Sequence, residues 1–551
     1  MVSTQGGKGK VEYPKKEFPQ KKVQKKVVVI GAGIGGLTAG ALLARRGYHV
    51  VILDQALVPG GCASTFKRRG FTFDVGATQV AGLEPGGIHK RIFDELEVEL
   101  PAATPCDPAC AVFLPGETEP INIWRNPEQW KTERQRQFPG SEPFWQLMAT
   151  LFNASWKFQS RDPVLPPRNV WDLWQLTSAV RPDTLITLPF TFMTVADGLR
   201  GYGLYDNKRL KTFLDMQLKL YSQVDVDQTA LLYAATALGV SQEPQGLFHL
   251  QGSMQVLSDR LVEALEKWGG KLLMRHTVEQ IETSGGKATG VSIRNQKTGE
   301  VWTEPADEVV ANVTVQNLVK LLGNNLQTLP KTSMAGYSMA GYKYRVDKLP
   351  PPSGAFVIYL GVDKRAIPDG CPPHLQFLYD YDGPIGENNS LFISVSKPGD
   401  GRAPEGKATI TASSFTDAAM WWRGSQQDYD RLKEEYTENA IARLSQYFDL
   451  TPESIIHQEA ATPRTFARYT AREQGIVGGI GQRIPTFGPF GFATRTPCKS
   501  LWLVGDSTHP GEGTAGVSYS ALTAVRQIET SLDFLQKSGT GNREQGTVDK
   551  N

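Results

Sequence analysis

The sequence predicts an α/β protein, and three observations predict it. A fully apolar β-branched run, Val27-Val28-Val29-Ile30, leads straight into Gly31-Ala32-Gly33-Ile34-Gly35-Gly36. A helical stretch and a second apolar run, His49 to Leu53, follow it. A third run, Leu501 to Val504, ends on another glycine-rich turn far along the chain. Strands buried on both faces between helices need such unbroken runs. The 551 residues, 40% hydrophobic and 21% charged, suit a soluble globular chain of roughly two to four domains.

The first run and its glycines form one unit. Gly31 permits the tight turn, Gly33 lets the backbone approach a pyrophosphate, and Gly36 lets helix and strand pack closely. The helix carries Leu37, Ala41, Leu42 and Leu43 and stops at Arg46-Gly47. Ile34, at its start, belongs to the turn of free N–H groups that faces phosphates. The second strand ends on Asp54, 23 residues after Gly31, where a carboxylate accepts hydrogen bonds from an adenosine ribose. Strand, glycines, helix, strand and acid in this order predict dinucleotide binding. The pair Gly60-Gly61, six and seven residues after Asp54, resembles the extended fingerprint of the large amine-oxidase-like FAD proteins. Their usual Arg after that pair is Cys62 here, which bears on the flavin-side contact.

Two distant segments add to the same site. The run Leu501 to Val504 ends on Gly505-Asp506, and a helix is predicted from about Ser518, with Leu522, Val525, Ile528, Leu532 and Leu535 on one stripe. Asp506 at a strand end can bind ribityl hydroxyls or order water on the pyrophosphate, or serve as a turn aspartate. The helix N-terminus near Gly516 would favour negative charge on a reduced flavin. Between them, Gly252-Ser253-Met254 opens a helix ended by Gly269-Gly270. A strand at 271–274, an antiparallel region over 277–303 and a run ending at Asn312 follow. Scaffold alone explains this middle stretch equally well.

Together these segments resemble the bacterial-type phytoene desaturase and carotenoid isomerase family of FAD proteins over about residues 27 to 535. The similar blocks are Gly70 to Thr78, Gly252-Ser253-Met254, Thr277-Val278-Glu279, Thr462 to Phe466 and Leu503 to Gly511. Ala77 stands where Pro is frequent. The stretch Arg69 to Phe93, with Cys106-Asp-Pro-Ala-Cys110, looks most like the cyanobacterial carotenoid 3′,4′-desaturases. The resemblance implies FAD as cofactor, a C40 polyene as substrate, and backbone contact of Val278 with adenine. It also implies an amine-oxidase/GDI-like, Rossmann-type fold assembled from discontinuous segments. The expected organisation is an FAD-binding domain from 27–105, 245–325 and 460–536, and a substrate-binding, membrane-associating region from 106–244 and 326–459. A Lys-rich disordered extension over 1–26 and a disordered tail over 537–551 flank them.

Charge and cysteines narrow the partners. The first 26 residues hold eight Lys and two Glu, which leaves 51 basic against 55 acidic residues, a net −4, in the rest. The body therefore gives no basic surface for nucleic acid, while the extension suits an anionic membrane. The start has no apolar run of a secretory signal. Five cysteines, an odd and small number, favour a reducing compartment, and their spacing gives no metal site. No stretch reaches the roughly 18 to 20 apolar residues of a spanning helix, so membrane contact is expected to be peripheral or monotopic, on a cytoplasmic protein.

Residues 124 to 174 hold six of the 11 tryptophans, and Leu185 to Ala196 is uncharged. This region fits either a helical core or the wall of an apolar tunnel that dips into the membrane interface. Trp421-Trp422, before a helical pattern from Tyr429 to Tyr447, allows the same choice. No nucleophile or triad pattern stands out, and His509, the one histidine in a flavin motif, fits backbone positioning as well as acid/base work. No catalytic residue is assigned. Three functions are weighed: carotenoid desaturase, carotene cis-trans isomerase, and a non-catalytic prenyl-lipid carrier of GDI type. The intact glycines and Asp506 argue against the carrier.

Overall fold

A computed structural model of the chain describes residues 25–329 and 338–540. The first apolar run forms β1, Lys26–Ile30, at the centre of a five-stranded parallel sheet. Its other strands are β2 (His49–Asp54), β3 (Lys271–Met274), β4 (Glu308–Ala311) and β5 (Leu501–Leu503), in the order β5-β4-β1-β2-β3. Val29 pairs with Val310 on one side and Ile52 on the other. Three remote parts of the chain thus share one sheet.

Alternation along each strand divides the packing between two faces. Val27, Val29, Val50 and Ile52 pack with helices α1 (Ile34–Arg45), α2 (Gln255–Lys267) and α3 (Thr514–Thr540). Val28, Ile30, Val51 and Leu53 face a three-stranded antiparallel sheet of His276–Ser284, Lys287–Asn295 and Val301–Pro305. Each such buried side chain contributes about 1.5–3 kcal/mol. The strands need to be apolar throughout because neither face meets water.

Two predicted boundaries move. Lys26 belongs to β1, because its backbone N–H donates to Asp307 Oδ2 at 2.8 Å and its ammonium pairs with Glu304. Helix α3 begins at Thr514 rather than near Ser518 and runs on to Thr540, past the expected tail boundary at 537. Gly516 lies inside its first turn, where a Cβ would sit 2.6 Å from Gly511 O. Of the extensions predicted over 1–26 and 537–551, residues 1–24 and 541–551 lie outside the described residues.

A seven-stranded sheet gathers the segments between the nucleotide-binding parts. Its order is Ile455–Ala461, Ser353–Asp363, Lys407–Asp417, Ser390–Val395, His374–Leu378, Cys110–Phe113 and Ile121–Ile123. Helices Glu142–Gln159, Lys208–Ser222 and Leu231–Gly239 pack beside it around Phe144, Trp145, Leu151, Phe213 and Leu214. A buried guanidinium joins this sheet region to the cofactor segments. Arg402 donates to Asp74 at 3.0 Å and to Leu250 O at 2.9 Å, while its backbone N–H is held by Asp400. Such a pair orients its segments and becomes costly if one partner is lost.

Candidate active site

The C-terminal ends of β1, β2 and β5 open into one cavity of about 1390 Å³. Ordinary small-molecule sites occupy roughly 300–1,000 Å³, so this one has room for a cofactor and a second ligand. Of the predicted residues, Gly31, Gly33, Ile34, Asp54, Gly60, Gly61, Val278, Gly505, Asp506 and Gly516 all line it. Gly36 does not. A Cβ at Gly36 would collide with Gly31 O, so this glycine packs α1 against the loop, as its position suggested.

The glycine loop is held from three sides. Asp54 accepts the Ala32 N–H at 2.6 Å and the Ala56 N–H at 2.7 Å, one on each carboxylate oxygen. Burial pushes the Asp54 carboxyl up from its ordinary value, against these two bonds. Gly60 N–H donates to Ala32 O at 2.7 Å, which docks the Gly60-Gly61 turn on the first loop. Asn312, at the end of β4, fills the space where side chains would stand. Its amide lies 2.8 Å from an added Cβ at either Gly33 or Gly35. Nothing in the sequence pattern marks this asparagine, because its role depends on β4 lying beside β1.

Helix α1 begins after Gly33 with no side-chain cap, so its first N–H groups face the cavity. The first turn of α3 faces it too, through Thr514, Ala515 and Gly516. Two helix N-termini directed at one space favour anionic ligand groups. Near Val278 the antiparallel ladder skips Glu279, and the bulge leaves backbone there out of the sheet pairing. Open helix ends, a side-chain-free glycine cradle and an unpaired strand edge fit a dinucleotide such as FAD.

On the β5 side, Asp506 is buried and forms an ion pair with Arg472. Arg472 also donates to Gly478 O at 2.9 Å. Its charge acts on Cys62, whose thiol burial pushes up while Arg472 opposes the shift. A guanidinium from a distant segment therefore stands beside the position where the resembling proteins carry Arg. Asp506 takes part in this pairing as well as facing the cavity, so it is more than a turn residue. Burial holds His509 down to about 4, and its Nε2 lies 3.1 Å from Gln159 Oε1. The imidazole is neutral near pH 7.

The other half of the cavity is apolar. Leu176, Val180, Leu185, Leu188, Leu220 and Phe487 are among its walls. From the predicted uncharged stretch, Leu185, Thr187, Leu188 and Thr191 line it, while Ile186 and Phe192 project outward and only Val195 and Ala196 are core. Trp174 and Phe192 are 66% and 68% exposed. The tryptophans of 124–174 divide: Trp130 and Trp145 are buried in the helical core, and Trp156 lines the cavity. Trp421 is core against Phe356, and Trp422 caps Gln474 O at 3.0 Å at the surface. Neither is a substrate wall.

Comparison with known proteins agrees with this arrangement. A family model for an NAD(P)-binding Rossmann-like domain matches residues 29–96. A chloroplastic prolycopene isomerase from Daucus carota is 28% identical over 534 residues, covering 93% of this chain and 81% of the relative. A zeta-carotene-forming phytoene desaturase from Myxococcus xanthus is 24% identical over 527 residues, covering 92% of this chain and 94% of the relative. The chain is a homologue of carotenoid isomerases and desaturases. Cyclohexylamine oxidase from Brevibacterium oxydans, 15% identical with a TM-score of 0.57, spans 93% of this chain and all of its own, and shares the fold. The amine-oxidase-like architecture expected from the motifs is the one observed. The carotenoid homologues match both halves of the chain, so the apolar half shares their ancestry along with the nucleotide cradle.

Proposed function

We propose that this chain is an FAD-dependent carotenoid desaturase that removes two hydrogens from adjacent carbons of a C40 polyene. The supporting observation is the single cavity in which a glycine and helix-end cradle continues into apolar walls. FAD, when bound there, supplies the two-electron acceptor for a hydride. Gly31, Gly33, Gly60 and Gly61 would carry the pyrophosphate, Asp54 the ribose, the backbone at Val278 the adenine, and Asp506 with Arg472 the ribityl side. The apolar walls align a C–H bond against the cofactor and exclude water.

The polyene enters from a membrane surface in this reading. The segments that line the apolar half of the cavity also carry exposed Leu173, Trp174, Leu188 and Phe192, side chains suited to the headgroup boundary. No helix among the described residues is long and apolar enough to cross a membrane, so the contact proposed is peripheral or monotopic. All five cysteines are free thiols, which supports a cytoplasmic location. The bond proposed is C-3′,4′, on the likeness of residues 69–93 and 106–110 to desaturases of that position.

The second reading is cis-trans isomerisation without net oxidation, favoured by the match to a prolycopene isomerase. Incubating the purified protein with liposomal polyenes separates the two. A product two hydrogens lighter with red-shifted absorption supports desaturation, and a product of equal mass formed under anaerobic reducing conditions supports isomerisation. Protein that purifies without flavin absorption would support the lipid-carrier alternative instead.

A further inference from the structure

Four carboxylates line the cavity among the described residues: Asp54, Glu279, Asp506 and Glu512. Three are engaged. Asp54 holds two backbone N–H groups, Glu279 pairs with Arg294, and Asp506 pairs with Arg472. Glu512 differs. Its Oε2 accepts from Gln223 Nε2 at 2.9 Å, while its Oε1 is buried with no hydrogen-bond partner. Gln223 is fixed in turn: it caps the helix Lys208–Ser222 in left-handed conformation, and its carbonyl accepts from Lys219 Nζ at 3.0 Å. Gly478, at φ +66°, leaves the space for this pair, since a side chain there would run into Gln223 Nε2 and Glu512 Oε2. Glu512 shares the cavity wall with Asp506 and with Tyr233, which donates its hydroxyl to Tyr221 O at 2.5 Å, and it is electrostatically coupled to both.

We propose that Glu512 is the catalytic base of this site, its carboxylate taking the proton that leaves the polyene and Gln223 positioning it. The inference rests on the desaturase reading. In that reaction one carbon loses its hydrogen with both electrons to the cofactor. The adjacent C–H bond then breaks, its electron pair becomes the second bond of the new alkene, and its proton passes to the Glu512 carboxylate. Two hydrogens leave, one as a hydride to FAD and one as a proton to Glu512, and an electron acceptor that reoxidises the reduced flavin closes the cycle. The other candidates are weaker bases or already committed. His509 also has a buried ring nitrogen, Nδ1, without a partner, but burial holds its pKa down to about 4, and the Tyr233 hydroxyl is already a donor.

The charged surroundings support a base that works near neutrality. Burial and the Asp506 carboxylate push Glu512 up to about 8, against Gln223, the Gly479 backbone and the Arg472 charge. Lys219 and Tyr233 also face it, and both feel its charge. A base with a pKa near the working pH combines a usable ionised fraction with useful driving force.

The test uses the full-length FAD-loaded protein in phosphatidylcholine liposomes carrying a polyene. Glu512→Gln keeps the shape and the Gln223 contact. It should retain flavin content yet slow the reaction by roughly 10²–10⁴-fold. The wild-type rate should rise through about pH 8, and the variant should lose that limb while Glu512→Asp regains part of the rate. A readout without substrate is the infrared band of a protonated carboxyl that titrates near this pH in wild type and is missing from the variant. The proposal is overturned by a Glu512→Gln rate within about threefold of wild type with an unchanged pH profile, or by the absence of the titrating band. Wild-type protein that converts no polyene to a product two hydrogens lighter overturns the desaturase reading itself, which separates the two failures.

Discussion

Arg472 and Glu512 show how single residues set the chemistry of the cavity. Replacing Arg472 by Met leaves the Asp506 carboxylate buried without its cation. We expect a loss of about 3 kcal/mol in stability, read by urea unfolding, together with loss of bound flavin. Glu512 works in the opposite sense. Its folded-state pKa is raised from 4.5 to about 8, so the folded protein holds a proton that the unfolded chain releases. Its contribution is fully present below about pH 4.5 and is lost as pH rises toward 8. Glu512→Gln should therefore melt above wild type at pH near 8.5 and together with it at pH near 4, by scanning calorimetry. Neither residue carries a local motif. Arg472 is assigned by its approach to Cys62 and Asp506, and Glu512 by its unpartnered oxygen, so both depend on contacts between distant segments.

At the scale of elements, α1 and the exposed helix Val170–Ala179 carry the two interactions of the proposed function, flavin binding and membrane contact. Gly36→Ala places a Cβ against Gly31 O and pushes α1 away from the loop, costing about 1–3 kcal/mol and most of the flavin occupancy. Gly201→Ala, with open space around the added carbon and no positive φ, should change neither, which makes it the control. Absorption of the purified variants measures both. At the proposed membrane contact, replacing Trp174 and Phe192 by Ser removes two exposed apolar side chains. Liposome flotation should show binding weakened about tenfold or more, since burying each contributes well over 1 kcal/mol. The parallel strands and α1 were legible because their apolar runs, glycines and Asp54 act over short separations. The seven-stranded sheet was not. Its strands pair segments as distant as Ala111 with Leu375, and no local signal specifies such a register.

At the scale of the whole molecule, the central sheet is assembled from three separated stretches, and the sequence between them builds the apolar half of the cavity. The order of elements in the chain therefore differs from their order in space, with β5 beside β4 and next to β1 only through it. The proposed chemistry follows from that assembly: a nucleotide cradle alone would suit many redox proteins, and the continuous apolar extension suits the long hydrocarbon proposed as substrate. Expression in cells that make defined carotenoid precursors, followed by mass and absorption analysis of the pigments, tests this most directly. The expected pigment is two hydrogens lighter than its precursor, with absorption shifted to longer wavelength. A precursor recovered at unchanged mass, whether untouched or as a geometric isomer, would contradict it.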